Sequence, residues 1–298
     1  MISVLIPIYN FNALKLVKTI HEQLEFLLQE FEIVCICDAS TEFIAENNVI
    51  NNFSSTKLLP LKKNIGRSKI RNLLIEKANY NWLLFLDADV LPKDDLFIKR
   101  YLDCIIKNEV SVFCGGIIYK DEKPDDNKML RWVYGKKREE ISFNKRSEKP
   151  YQYVSGANFL IHKSVAETIK FDERIINYGY EDVLFIEDLK NSNIEITHLE
   201  NPVYHLGIEN NLIFLDKTKE AIENLFFINA NNILKGDNLK LLKTFQLLDK
   251  YSLDSGFLKI FLKFQKNIEY NLLGEKPSLF LFDIFKLGYL CDLNFKKN

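Results

Sequence analysis

Two carboxylates, Asp87 and Asp89, follow an apolar segment of five residues, WLLFL at 82–86. An acidic pair with this spacing at the end of a strand supplies oxygen ligands for a divalent cation. Mg²⁺ and Mn²⁺ commonly bind one or two protein carboxylates together with the phosphate groups of a substrate. The sequence therefore predicts a cation that neutralises a diphosphate at this position.

Two other interpretations of this pair remain open. Acids that follow a strand often cap the next helix instead of binding a ligand. Phosphatases of the haloacid-dehalogenase kind also carry Asp-x-Asp after an apolar strand and use the first Asp as nucleophile. Those enzymes usually place the pair on the first strand of their sheet, whereas Asp87 follows the fourth predicted strand of this chain.

The segment NIGRSKIRN at 64–72 is suited to binding phosphate. Asn64 and Gly66 predict a turn. Arg67 and Arg71 lie four residues apart on the helix that follows, so both guanidinium groups share one face. A helix N-terminus together with arginine suits a diphosphate or a nucleotide. A solvated basic face that includes Lys69 is the alternative.

The elements that carry these residues alternate between strands and helices. Continuous apolar runs at 2–9 and 31–38 predict strands that are covered on both faces. Helices are predicted between the strands, at about 12–30, 41–52 and 67–78. This repeated strand–helix–strand pattern predicts an open α/β sheet, in which ligands bind at the carboxyl ends of the strands. Asp38 and Asp87 end the second and fourth strands and should stand on one rim.

The composition predicts a soluble globular protein with a large core. The chain has 298 residues, of which 47% are hydrophobic and 27% charged, and its formal net charge is −1. This balance argues against a polyanionic partner such as nucleic acid. Five cysteines without CxxC spacing are typical of reduced core residues. The sequence has no basic signal region, and no apolar stretch approaches the length of ~20 residues that a spanning helix needs. We therefore expect a cytoplasmic location, which could include the inner face of a membrane.

Six motifs occur in the order found in family-two glycosyltransferases of the GT-A fold. They are SVLIPIYN, VCICDAS, NIGRSKIRN, LLFLDADV, SGANFLIHKS and GYEDVLF. From SGANFLI to YHLG the chain resembles the galactosyltransferase-type C-terminal half of that fold. The resemblance covers residues 1–210 and implies a nucleotide-binding half at 1–118 and an acceptor or catalytic half at 119–210. No GxGxxG follows the first strand, which argues against a dinucleotide dehydrogenase.

The resemblance implies a donor site for a nucleotide-sugar, most simply a UDP-sugar. Its donor-binding residues would be Pro7, Ile8, Tyr9, Asn10, Asp38, Asn64, Gly66, Arg67, Arg71, Asp87, Ala88 and Asp89. Tyr9 would stack on the base, and Asp38 would accept a hydrogen bond from the base or ribose. Asp89 would be the direct metal ligand, with Asp87 reaching the ribose or the metal. His205 would supply a third ligand, and its imidazole suits Mn²⁺ better than Mg²⁺.

The resemblance also implies catalytic and acceptor residues. Asp182 would take a proton from the acceptor hydroxyl, and Glu181 would hydrogen-bond the sugar or acceptor. Both could instead be first-turn acids that favour a helix dipole. The acceptor and sugar residues would be Trp132, Ser155, Gly156, Asn158, Gly179 and Tyr180. Gly179 would let the backbone approach the sugar, and Trp132 would stack on an acceptor or anchor a mobile loop at 120–150.

Residues 211–298 form a separate helical extension rich in Leu, Phe and Lys. Core packing or a homodimer contact is the favoured explanation of its apolar faces, and peripheral membrane contact is the alternative. The expected protein is an inverting, metal-dependent hexosyl- or N-acetylhexosaminyltransferase that acts on a glycan or lipid-linked hydroxyl. A phosphatase and a non-catalytic nucleotide-sugar-binding module are the other functions considered.

Overall fold

The computed structural model describes residues 1–27, 29–107, 111–176, 178–234 and 239–297, without the side chain of residue 107. The chain divides into two compact units. The first comprises residues 1–120, 138–176 and 181–207, and the second comprises 121–137, 177–180 and 208–298. The sequence-based division at residue 210 assigned 121–137 to the first region, whereas the structure groups this segment with the C-terminal helices.

The first unit is built on a seven-stranded sheet with the order β3-β2-β1-β4-β8-β6-β9. Its strands are β1 (Ile2–Ile8), β2 (Phe31–Cys37), β3 (Thr56–Pro60), β4 (Trp82–Leu86), β6 (Val112–Cys114), β8 (Asn158–His162) and β9 (Ile196–His198). Strands β3, β2, β1 and β4 run parallel to one another, while β8 is antiparallel to both β4 and β6. Every residue of β2 is buried, as expected of a strand covered on both faces. The predicted mostly parallel α/β sheet is confirmed.

A smaller sheet has the order β5-β10-β7. Its strands are β5 (Val90–Pro92), β7 (Ile117–Ile118) and β10 (Val203–His205). Strand β10 is antiparallel to β5, and His205 lies opposite Val90 in the register. This pairing brings the chain that follows Asp89 beside the chain that ends at His205.

The helices of the first unit cover the large sheet. They are α1 (Leu14–Phe26), α2 (Ile44–Asn48), α3 (Arg67–Lys77), α4 (Phe97–Lys107), α6 (Phe143–Glu148), α7 (Lys163–Thr168) and α8 (Glu181–Asn191), with a 3-10 turn at Val49–Asn52. Residues from the sheet, α3 and α8 form one apolar core. Stacked rings of Phe85 and Phe159 join β4 to β8 within it, with centroids 4.8 Å apart. Both α3 and α8 begin at the same rim as the acids predicted from the sequence.

The second unit is helical and has its own core. Its helices are α5 (Met129–Tyr134), α9 (Asn211–Ala230), α10 (Lys240–Lys250), α11 (Asp254–Leu273) and α12 (Leu279–Lys297), with a 3-10 turn at Asp126–Lys128. Helices α11 and α12 pack closely at Gly288, where a Cβ atom would lie 2.3 Å from Phe261 Cγ. Apolar residues of α5 and of the four long helices make up this core.

The prediction that residues 120–150 form a loop is wrong. Short helices occupy most of this stretch, including α5, α6 and a π-helical segment at Gly135–Glu139. Leu130 of α5 is fully buried in the core of the second unit. Arg146 of α6 is also buried, and donates to the carbonyl oxygens of Cys114, Gly115 and Leu199. Because most residues of 120–150 are charged or polar, the sequence pattern did not indicate that Leu130 and Arg146 are buried.

Across the described part of the chain, none of the helices combines the length and the apolar character needed to cross a membrane.

Candidate functional site

A turn held by Asp38 leads into helix α3. The Asp38 carboxylate accepts hydrogen bonds from the backbone N–H groups of Ile65 and Gly66, at 2.8 and 3.1 Å. Asn64 accepts a further bond from the Gly66 N–H. Gly66 has a φ of +84°, and a Cβ atom there would lie 3.0 Å from the Ile176 carbonyl oxygen, so glycine is required. Asp38 therefore positions the turn that carries Arg67.

Burial raises the pKa of Asp38 above its ordinary value of 3.8, against the lowering effect of those two N–H groups. The residue is only 4% exposed. Its predicted hydrogen bond to a base or ribose stays a prediction, and the alternative of a cap for the segment from residue 41 is wrong, because the carboxylate serves the turn before α3 instead.

The end of β1 presents an exposed ring beside a fixed turn. Ile8 is buried, Pro7 is half-buried, and Tyr9 is 58% exposed, as stacking on a ligand would require. Asn10 adopts a φ of +46°. Its side-chain oxygen accepts from the backbone N–H of Thr41 at 2.8 Å. Stacking of Tyr9 on a base stays a prediction.

Two arginines of α3 bind two carboxylates that come from other elements. Arg71 donates through Nη2 to Asp87 Oδ1 at 2.8 Å and through Nη1 to Glu181 Oε1 at 2.9 Å. Arg67 donates to Glu181 Oε1 at 2.6 Å and to Asp87 Oδ2 at 3.2 Å. The predicted shared face of the two guanidinium groups is thus present, but it is directed at acids of the protein and is not a solvated basic surface.

Glu181 has a different position from the one predicted. Its side chain is only 4% exposed, and Oε1 accepts from both arginines. Burial alone would raise the pKa of Glu181, but the charges of Arg67 and Arg71 outweigh burial and lower it from 4.5 to about 2. The Oε1 atom therefore holds the two arginines within an enclosed carboxylate. The predicted hydrogen bond from Glu181 to the sugar or acceptor stays a prediction.

Asp182 is the acid that remains accessible at the start of α8. It is partly buried, and its Oδ1 accepts from the Val183 N–H at 2.9 Å. Burial and the neighbouring charge of Glu181 raise the pKa of Asp182 from 3.8 to about 6. A carboxylate with a raised pKa is a better proton acceptor than an ordinary aspartate.

Gly156 brings Asp182 and Arg71 together. A Cβ atom at Gly156 would lie 3.2 Å from Arg71 Nη2 and 3.4 Å from the Cβ of Asp182. The carbonyl oxygen of Gly156 also accepts from Arg71 Nη2, at 3.4 Å. Asp182 and the arginine–carboxylate network therefore both lie close to Gly156, near the position that a Cβ atom would occupy.

Asp89 and His205 form a second polar pair on the smaller sheet. His205 Nε2 lies 3.5 Å from Asp89 Oδ2, and the two side chains are 12% and 28% exposed. The backbone of residues 206 and 207 wraps around this aspartate. Leu206 donates its N–H to the Asp89 carbonyl oxygen at 2.7 Å, and a Cβ atom at Gly207 would lie 2.1 Å from Oδ2. Tyr119 stacks on His205 with ring centroids 5.4 Å apart.

These residues partly fit a divalent cation. Among the residues that the structure describes there is no group of three or more His, Cys, Asp or Glu side chains placed to hold a metal. Asp89 and His205 do supply one oxygen and one nitrogen donor side by side, a set that Mn²⁺ accepts. Asp87 accepts one hydrogen bond from arginine on each of its oxygens, and the direct metal contact considered for it stays a prediction. A cation here would take its other ligands from substrate phosphates and water.

Asn158 was predicted to line an acceptor site, and this is wrong. The residue is fully buried, its Oδ1 accepts from the Tyr101 hydroxyl, and its Nδ2 donates to the carbonyl oxygens of Gly116 and Asn201. The side chain links β8 to neighbouring loops and has no exposed polar atom to offer. Ser155 is half-exposed and accepts from the Ala157 N–H, so its predicted role stays open.

Gly179 needs its glycine for a contact with protein, not for the predicted contact with sugar. Its φ is +95°, and a Cβ atom would lie 2.8 Å from the Cβ of Ala221 on α9. Asn224 of α9 donates to the carbonyl oxygens of Tyr178 and Gly179 at 3.0 Å each. Tyr180 follows with a φ of +69°. This turn is fixed on α9 within the second unit.

Some predicted residues are not brought into these clusters. Trp132 is half-buried on α5 of the second unit, and Ala88 is buried between the two aspartates. Tyr119 and Gly207 are the residues near Asp89 that the sequence did not single out. Gly207 could have been found from its place in the segment YHLG, whereas nothing in the sequence around Tyr119 points to His205.

Comparison with known sequences identifies one family. The family model described as glycosyl transferase family 2 matches residues 3–170. An "Uncharacterized glycosyltransferase" of Haemophilus influenzae is 28% identical over 132 residues, which cover 44% of this chain and 52% of that protein. Another, from Rickettsia bellii, is 34% identical over 108 residues, covering 36% of this chain and 14% of that protein. The chain thus matches about half of the first relative's length and far less of the second.

Solved structures of the same fold agree with the architecture. S. aureus TarS 1-349 is similar across 100% of this chain and 92% of its own, with 18% identity and a TM-score of 0.53. The mannosyltransferase PcManGT from Pyrobaculum calidifontis, in complex with GDP-Man and Mn²⁺, has 12% identity and a TM-score of 0.52 over 79% of this chain and 65% of its own. TarS 1-349 is also known in complex with UDP-GlcNAc. That structure has 17% identity and a TM-score of 0.52 over 99% of this chain and 91% of its own. This likeness confirms the predicted fold class.

Proposed function

The chain belongs to glycosyl transferase family 2, and we propose that it transfers a sugar from a nucleotide-sugar donor to a hydroxyl group with inversion. A UDP-sugar is the first candidate donor, because a structure of the same fold binds UDP-GlcNAc. The transferred group would be a hexose or an N-acetylhexosamine, and the acceptor a hydroxyl of a glycan or of a lipid-linked sugar. The resemblance of the chain to the galactosyltransferase-type half supports this choice.

The position of Asp182 carries the proposal. Asp182 is partly exposed, its pKa is raised to about 6, and it lies against Gly156 beside the Arg71 guanidinium group. Asp182 takes the proton of the acceptor hydroxyl as that oxygen forms a bond to the anomeric carbon. The bond from the anomeric carbon to the diphosphate oxygen breaks on the opposite side of the ring, and the nucleoside diphosphate leaves with the bonding electrons.

Helix α3 supplies the positive charge for the leaving group. The Arg67 side chain is 39% exposed, whereas that of Arg71 is 1% exposed. A diphosphate would meet Arg67 first, at the N-terminus of α3, where backbone N–H groups and the helix dipole also favour an anion. Glu181 and Asp87 fix the direction of this guanidinium group before substrate arrives, which lowers the cost of ordering it.

Asp89 and His205 would hold the divalent cation, Mn²⁺ or Mg²⁺. When bound, such a cation neutralises charge that develops on the leaving diphosphate. Gly207 keeps the space around Asp89 Oδ2 narrow, so the carboxylate cannot turn away freely. Tyr119 limits rotation of the His205 ring by stacking on it. These contacts of the chain support a fixed donor pair.

The phosphatase alternative loses its main support. In a phosphatase of the haloacid-dehalogenase kind, Asp87 would have to attack phosphorus as a nucleophile. Both of its carboxylate oxygens instead accept hydrogen bonds from arginine. A carboxylate whose two oxygens each accept a charge-assisted hydrogen bond is a weakened nucleophile.

The test is release of nucleotide from a panel of donors. The full chain is incubated with UDP-glucose, UDP-galactose or UDP-GlcNAc and Mn²⁺, with simple glycosides as added acceptors, and UDP is quantified together with the anomeric configuration of the product. The proposal predicts release from at least one donor, an inverted product, and loss of both in Asp182→Asn. Donor binding without any release would instead identify a non-catalytic module, and hydrolysis of an aryl phosphate would identify a phosphatase.

A further inference from the structure

Helix α11 has one buried face and one exposed face, and the exposed face is both apolar and basic. Four apolar residues pack into the core of the second unit, namely Leu258, Phe261, Ile268 and Leu272. The opposite face carries Ile260 and Tyr270, which are 63% and 84% exposed. Core packing therefore accounts for only one face of this helix.

Lysine is the only charged residue type that is exposed on this face. Lys259, Lys263 and Lys266 are all exposed, and none of them pairs with a carboxylate among the described residues. The nearest acid on the helix is Glu269, which is half-buried and accepts a hydrogen bond from Gln265. From Lys259 to Tyr270 the face extends about 17 Å at 1.5 Å per residue.

We propose that this face of α11 binds the surface of an anionic lipid bilayer. An apolar helix face flanked by lysines lies in the interfacial plane, with apolar side chains at the acyl boundary and ammonium groups at the anionic headgroups. The methylene groups of a lysine can lie along the apolar layer while its ammonium group reaches the lipid headgroups. A tyrosine suits the boundary between headgroups and acyl chains because one end of its ring is polar.

Charge complementarity favours a bilayer over a second copy of the chain. A two-fold contact would bring the same face of each copy together, and therefore three lysines against three lysines without an exposed acid to pair them. An anionic bilayer offers a continuous negative surface to all three lysines at once. The homodimer contact considered for 211–298 is therefore not supported at this face.

Vesicle binding of the full chain tests the proposal. The chain is sedimented with vesicles of phosphatidylcholine alone or with 30% phosphatidylglycerol, a fraction on the order of that in anionic membranes. We expect binding to the anionic vesicles and little to the neutral ones, with release at about 0.5 M NaCl, where charges are screened over a few ångströms. In the triple variant Lys259→Gln, Lys263→Gln, Lys266→Gln, affinity for the anionic vesicles should fall by about 100-fold. This estimate assumes that each lysine contributes roughly a fivefold increase in affinity.

The matched control removes three exposed lysines of the first unit, by Lys15→Gln, Lys77→Gln and Lys170→Gln. It makes the same change in net charge and should leave binding unchanged. A separate variant, Ile260→Ser, should weaken binding roughly tenfold because the apolar contribution is lost. Equal loss in the control, equal binding to neutral vesicles, or self-association that the α11 triple variant abolishes would each overturn the proposal. Because this assay measures no sugar transfer, its outcome is independent of the proposed enzyme activity.

Discussion

Arg71 and Glu181 form a buried ion pair, with Nη1 and Oε1 2.9 Å apart and side chains that are 1% and 4% exposed. The pair joins the second turn of α3 to the first residue of α8, 110 residues apart in sequence. Because Arg71 also binds Asp87, this one side chain connects the end of β4 to the start of α8. The stability of the fold and the geometry of the candidate site therefore depend on the same residue.

Replacing Arg71 should destabilise the first unit strongly. In Arg71→Met the contact with the Phe171 ring can persist, but Glu181 keeps only Arg67, and Asp87 loses one of its two arginines. Breaking one side of a buried pair typically costs about 3–5 kcal/mol. Urea denaturation measures this loss, and Arg174→Met is the matched control. Arg174 is 62% exposed and pairs with Asp172 on the surface, so its loss should cost less than about 1 kcal/mol. Equal effects of the two variants would contradict the account.

Glu181 should make stability depend on pH in the acid range. Despite burial, the two arginines lower the pKa of Glu181 from 4.5 to about 2 in the folded chain. Its ionised form therefore stabilises the fold above about pH 4.5, and this contribution is lost as the pH falls toward 2. We expect Glu181→Gln to flatten the fall in the free energy of unfolding between pH 4.5 and 2. Glu76→Gln, at an exposed position of α3, should leave that fall unchanged. An unchanged slope in Glu181→Gln would show that the pair does not form.

The order of elements and the rim of acids could be predicted from the sequence, because strand-end carboxylates and apolar runs are local patterns. Asp38 and Asp87 do follow parallel strands that both flank β1. The partners of those acids could not be predicted. Whether Glu181 faces a substrate or two arginines depends on a contact across the fold, and no local pattern encodes it.

Two other errors have the same origin. Asn158 is a polar residue of the kind expected in the floor of a site, yet the three hydrogen bonds of its side chain join residues more than 40 positions away. The charged stretch at 120–150 resembles a loop, yet its residue Leu130 is buried in the core of the second unit. In both cases a long-range contact overrides what the local residue types suggest.

Asp182 should be required for transfer but not for donor binding. Asp182→Asn removes the proton acceptor while keeping the shape of the side chain, and loss of a general base typically lowers turnover by about 10²- to 10⁴-fold. UDP affinity, measured by calorimetry, should stay close to that of the unmodified chain. Asp188→Asn, at an exposed position of the same helix, should keep full activity.

The rate should also follow the ionisation of Asp182. Burial and the charge of Glu181 raise its pKa to about 6, and only the ionised form accepts a proton. Turnover of the unmodified chain should rise with pH up to about one unit above that value and then level off. A rate that is independent of pH between 5 and 7 would assign the base to another group.

Gly207 should be required for the metal-dependent part of donor binding. In Gly207→Ala the new Cβ would lie 2.1 Å from Asp89 Oδ2, so the carboxylate must move. We expect the gain in UDP affinity on addition of Mn²⁺ to fall by roughly tenfold, since changes around metal ligands commonly cost 10- to 100-fold. Gly256→Ala is the control, because a Cβ there meets nothing within 4 Å. If Mn²⁺ increases the UDP affinity of Gly207→Ala as much as that of the unmodified chain, Asp89 is not a metal ligand.

A crystal structure of the full chain with a UDP-sugar and Mn²⁺ tests the central claim most directly. The account predicts the diphosphate beside Arg67, the cation on Asp89 and His205, and the Asp182 carboxylate on the face of the sugar ring opposite the diphosphate. A nucleotide bound away from the α3 N-terminus, or a sugar whose open face points away from Asp182, would contradict it.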